Sequence, residues 1–110
     1  MFAHKYVTFV LIDNNPNPEP VEITINAEMI SSLLSRQHKS YSKLLSQEAH
    51  ITTWTMELLS GSTLIVTLEC PCTDTDEQGN QIDVDTDMAY DSFQEAKKRK
   101  TIEVSSLIWE

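Results

Sequence analysis

The chain has 110 residues, 40% of them hydrophobic and 23% charged, enough for one folded domain with its own core; this excludes a wholly disordered polymer. Seventeen acids against eight bases give a formal charge of −9, which excludes coating of nucleic acid or charge-driven binding to anionic membranes, because both need cationic surface. Nine of the seventeen acids lie between Glu69 and Glu95, where there is no Lys or Arg, leaving eight acids to balance the eight bases elsewhere.

The first element is a strand over Tyr6 to Ile12, a run of β-branched and aromatic residues that ends at Asp13. Pro16, Pro18 and Pro20 then forbid helix and central strand. Val21, Ile23 and Ile25 alternate with Glu22 and Thr24, the period of a half-buried strand. The two strands are expected to form a hairpin across a stiff, extended loop.

Asn26 is placed as a helix N-cap, with Glu28 in the first turn. A first helix is expected over the following twenty residues or so, because Ile30, Leu33, Leu34, Tyr41, Leu44 and Leu45 recur at spacings of three, four and seven. Arg36, Lys39 and Lys43 would then share the opposite face, as an anion contact or simply a solvated surface. His38 falls at the boundary of the apolar stripe.

A β-hairpin follows. A three-residue loop Ser60-Gly61-Ser62 would set Leu58 against Leu64, Met56 against Val66 and Trp54 against Leu68. All six large apolar side chains then share one face, whereas a two-residue loop would split them. Thr53, Thr55, Glu57, Ile65 and Thr67 form the other face.

Pro71 ends the second arm, and Cys72 to Asp85 is a polar, acidic, turn-rich stretch around Gln78-Gly79-Asn80. Asp85 or Thr86 caps a second helix from about Asp87 to Lys98, with Met88, Ala89, Phe93 and Ala96 inward and Asp87, Asp91 and Glu95 outward. The bases Lys97 to Lys100 (Lys, Lys, Arg, Lys) close it with the sign its dipole prefers. Thr101 to Trp109 is the last strand. The expected fold is therefore a single α+β domain over residues 1–110, a mostly antiparallel sheet with two helices in the order ββαββαβ, with its acidic segment at 69–95.

No charged region followed by a long apolar run stands at the N-terminus, and no window approaches the ~20 apolar residues of a membrane span, so a cytoplasmic location is expected. Cys70 and Cys72, separated by Pro71, are then reduced thiols. His4, His38 and His50 do not fall in zinc-ligand spacing.

Asp74, Asp76, Gln78, Gly79 and Asp85 occupy positions 1, 3, 5, 6 and 12 of an EF-hand calcium loop, so a calcium-binding switch is one reading. A strand in place of the entering helix counts against it, and a hairpin turn rich in Asp and Gly produces the same letters. Enzymatic constellations are lacking: the only glycines are Gly61 and Gly79, and Asp83 and Asp85 have nothing to push their pKa values apart. A small enzyme would need a cysteine or carboxylate beside a histidine in a pocket. No catalytic residue, cofactor or resident metal is therefore expected.

The remaining class is protein binding. Asp74, Asp76, Glu77, Asp83, Asp85, Asp87, Asp91 and Glu95 form an array whose natural partner is the basic surface of another protein. An inhibitor occupying a basic, nucleic-acid-binding groove, in the manner of small acidic phage or plasmid anti-defence proteins, fits this size and charge by analogy. Direct contact with nucleic acid or membrane is not expected. The apolar end Leu107-Ile108-Trp109 is a candidate edge strand for a homodimer.

Overall fold

In the computed structural model, which describes residues 1–12 and 21–110, the run Tyr6–Leu11 forms β1 and pairs antiparallel with β2, Val21–Asn26. The proline-rich loop between them lies outside the described residues. Asn26 does cap a helical turn, its side chain accepting from the Glu28 N–H at 2.9 Å, but the turn is a single 3₁₀ turn over Ala27–Met29.

The expected first helix is instead the longest strand, β3, Ile30–Ser42, antiparallel to β4, Gln47–Leu58. The apolar spacing that suggested a helix is incidental: Leu34 and Tyr41 are exposed, and Leu44 and Leu45 lie in the β3–β4 turn. Serines at 31, 32, 35, 40 and 42 bind their own backbone readily and disfavour a helix interior. The basic stripe dissolves with the helix, since Arg36 and Lys39 now project from opposite sides of a strand.

β4 pairs with β5, Thr63–Pro71, as a hairpin with Met56 opposite Leu64 and Trp54 opposite Val66. The loop has three residues as expected, but they are Leu59-Ser60-Gly61, closed by the Leu58 N–H donating to the Ser62 carbonyl at 2.9 Å. Gly61, at φ +92°, takes the left-handed position of this turn, and the Leu59 N–H donates to the Met29 carbonyl. The register is shifted by two residues from the expected one. An even shift leaves every side chain on its face, so Trp54, Met56, Leu58, Leu64, Val66 and Leu68 are all buried.

The chain then leaves the sheet for an acidic excursion: β6 (Thr73–Thr75), β7 (Gln81–Asp83) and α1 (Thr86–Ala96), the one α-helix among the described residues. It returns as two strands where one was expected. β8, Thr101–Val104, runs parallel to β1, and β9, Ser106–Trp109, runs antiparallel to β5. Ser105 carries the crossing, its N–H and hydroxyl both donating to the Thr67 carbonyl. The result is a predominantly β fold with sheets β2-β1-β8 and β3-β4-β5-β9, antiparallel except for β1 with β8.

The inner faces of both sheets and the buried side of α1 enclose one core. Phe2 stands edge-on to Phe9 and to Trp54 at 6.0 and 5.7 Å, which ties the N-terminal segment to both sheets. Trp54 is fully buried, its indole N–H has no partner among the described residues, and the Lys97 ammonium lies 5.3 Å from its ring centre.

Candidate partner-binding surface

The acidic excursion is fixed to the β4–β5 end of the sheet by long-range hydrogen bonds. The Cys72 N–H donates to the Glu48 carbonyl at 3.2 Å, and the Val84 N–H donates to the Cys72 carbonyl at 2.8 Å. His50, 2% exposed, reaches the Val84 carbonyl with Nε2 at 2.6 Å; a carbonyl only accepts, so Nε2 carries the proton. The Thr73 hydroxyl donates to Gln47 Oε1 at 2.8 Å, and Gln37 Nε2 donates to the Thr86 carbonyl at 3.1 Å. These anchors join residues far apart in the chain, and no sequence pattern marks them.

Above this root, β6 and β7 pair with Thr73 opposite Asp83 and Thr75 opposite Gln81. Their turn repeats the construction at Gly61: the Asp76 N–H donates to the Asn80 carbonyl, and Gly79 sits at φ +84°. Asp76 Oδ1 stabilises the turn by accepting from the Gln78 and Asn80 N–H groups at 3.0 and 2.8 Å. Asp85 is the N-cap of α1, its Oδ1 accepting from the Met88 N–H at 2.8 Å, which agrees with the sequence reading. Ala89, Phe93 and Ala96 face the core, as expected, but Met88 is 43% exposed.

The eight carboxylates therefore divide by what they already hold. Asp74, Asp76 and Asp85 accept backbone N–H groups in the excursion itself. Glu95 binds Lys98 at 2.8 Å, and that hydrogen bond holds its carboxyl below the ordinary range. Glu77, Asp83, Asp87 and Asp91 are exposed, and their carboxylates make no hydrogen bond or ion pair among the described residues. Tyr90 is exposed between Asp87 and Asp91 on the helix.

The calcium reading does not assemble. Asp76 and Asp85 turn oxygens onto backbone N–H groups, Asp74 and Gln81 to Asp83 are held in strands, and no group of three or more His, Cys, Asp or Glu among the described residues is placed to hold a metal ion. His50 and Cys70 are cross-strand neighbours, a juxtaposition the sequence order hides. The imidazole is committed to Val84, and burial pushes the Cys70 thiol up, away from the reactive thiolate, while a hydrogen bond with Ser92 partly opposes this. A cavity of about 170 Å³ beside α1, lined by Leu68, Ser92, Phe93, Arg99 and Glu103 among others, includes neither His50 nor a cysteine. Among the described residues, no helix is long and apolar enough to cross a membrane. Comparison with known proteins finds no matching family model, curated protein or solved structure.

Proposed function

We propose that this chain is a non-enzymatic binding module that presents the β6–β7 hairpin and the outer side of α1 to the basic surface of another protein. A nucleic-acid-binding groove, which the excursion would occupy as an inhibitor, is the surface that suits an acidic array best. The observation that carries this reading is the uncommitted state of Glu77, Asp83, Asp87 and Asp91 on a hydrogen-bonded support. A backbone already held by hydrogen bonds loses little conformational entropy when a cationic partner closes on the carboxylates it carries.

Asp76 and Asp85 hold the backbone, so the test should leave them intact. Glu77, Asp83, Asp87 and Asp91 are changed together to Lys, and capture of partner from a lysate of the source cell is compared with wild type. Capture by the wild type is expected to fall with salt and with added double-stranded DNA, and the reversed variant to capture nothing. Equal capture by both chains at low and high salt overturns the reading.

A second reading concerns self-association. β9 is the outer strand of its sheet, and Ile108 and Trp109 are 47% and 48% exposed. Sedimentation at two concentrations tests a homodimer through this strand, and a concentration-independent monomer excludes it.

A further inference from the structure

β3 is an edge strand of thirteen residues, paired with β4 on one side and with no strand on the other among the described residues. Long edges are usually protected by proline, a bulge or a covering element. From Ser32 to Ser42, β3 pairs with β4 without a bulge and contains no proline, and its side chains from Leu34 to Arg36 and from His38 to Tyr41 are exposed. Its protection is electrostatic. No acid occurs from Met29 to Gln47, Arg36 projects from one side of the strand and Lys39 from the other, and the β4 residues opposite Ser35 to Ser40 contain no acid.

Positive charge on both sides of an edge repels a second copy of that edge and favours a strand of opposite sign. We propose that β3 is a docking edge for an extended acidic segment of another protein, which adds to the sheet as a fifth strand. The backbone groups of β3 supply the ladder, and Arg36 and Lys39 select carboxylates beside them on the two faces. This edge touches the acidic excursion where Gln37 binds Thr86, but it takes a partner of opposite charge.

The probe is a fluorescent peptide of about ten residues in which pairs of valines alternate with pairs of glutamates, which puts carboxylates on both faces of the added strand and is long enough to match one. It is titrated into the full chain near 0.15 M salt, where the ~8 Å screening length limits repulsion from the acidic excursion, which meets β3 at the Gln37–Thr86 hydrogen bond. One control peptide has lysine for glutamate, and another has proline for valine, which keeps the charge but cannot form a ladder. The valine–glutamate peptide is expected to bind and to protect alternate β3 amides from hydrogen exchange. The double variant Arg36→Glu, Lys39→Glu should bind it about tenfold more weakly and prefer the lysine peptide. Reversal of Glu77, Asp83, Asp87 and Asp91 should not weaken it, which separates this proposal from the function proposed above. Equal binding of the proline peptide, protection confined to other strands, or concentration-dependent β3 protection without peptide each overturn the proposal, and all three are read on the wild-type chain.

Discussion

Two hairpins of this protein turn the chain in the same way and hold the turn by different means. At Leu58–Ser62 and at Asp76–Asn80, the first N–H donates to the carbonyl four residues on, and a glycine at the fourth place adopts a left-handed conformation, Gly61 at φ +92° and Gly79 at +84°. In the sheet the first residue is Leu58, 8% exposed in the core; in the excursion it is Asp76, whose carboxylate accepts two backbone N–H groups. One turn is held by burial, the other by a local charge-assisted network. A region rich in acids cannot use burial to fix its backbone, because buried carboxylates without partners are too costly. The excursion therefore uses Asp74, Asp76 and Asp85 for structure, pairs Glu95 with Lys98 and leaves Glu77, Asp83, Asp87 and Asp91 exposed.

The contrast can be broken first at the core. Trp54→Ala should lower stability by about 3–5 kcal/mol, seen as a large drop in the urea midpoint, because it leaves a cavity in the core and removes the contact between Phe2 and β4. Gly61→Ala and Gly79→Ala sharpen the comparison. A Cβ at either site meets nothing within 4 Å, so each change costs about 1–2 kcal/mol of backbone strain alone. Gly61→Ala should lower the global midpoint by that amount. Gly79→Ala should accelerate exchange of the β6–β7 amides and leave the midpoint nearly unchanged, since that hairpin packs little of the core.

Asp85→Ala should cost about 1 kcal/mol by removing the cap, with faster exchange at the Met88 amide. The smallest effect concerns Lys97, 8% exposed, whose pKa burial pushes down. The unfolded chain then holds this proton to higher pH than the folded one, so stability contributed by this group rises with pH between its lowered value and the ordinary lysine value. Lys97→Met should flatten that alkaline rise in a series of urea melts, and an identical slope in both chains would show that Lys97 does not cause it.

Elements with a buried side and a wet side were legible from the sequence. Alternation in β4 and β5 assigns Trp54, Met56, Leu58, Leu64, Val66 and Leu68 to one face, and that holds even though the register differs by two residues. α1 was legible from its cap at Asp85 and from Ala89, Phe93 and Ala96. β3 was not. An edge strand exposed for most of its length has no reason to alternate, so chance apolar spacing imitated a helix, although its serines spoke against one. The site was legible as a list of acids. Which of them are committed to caps and turns was not, because a cap is recognised by the N–H it faces.

By itself the sequence determined the charge polarity, the inward faces of the β4–β5 hairpin and the capped second helix, because these depend on residue type and short spacing. Only the tertiary structure decided the rest. Pairing with β4 made Ile30–Ser42 a strand, the Thr67 carbonyl turned the last strand at Ser105 into two, and His50 anchored the acidic excursion at Val84. The last two contacts join residues 38 and 34 apart in the chain. The β3–β4 ladder, though it closes through a short turn after Ser42, has to reach Ile30 opposite Leu58. The loop-closure entropy of the long-range contacts is met only when the whole core forms.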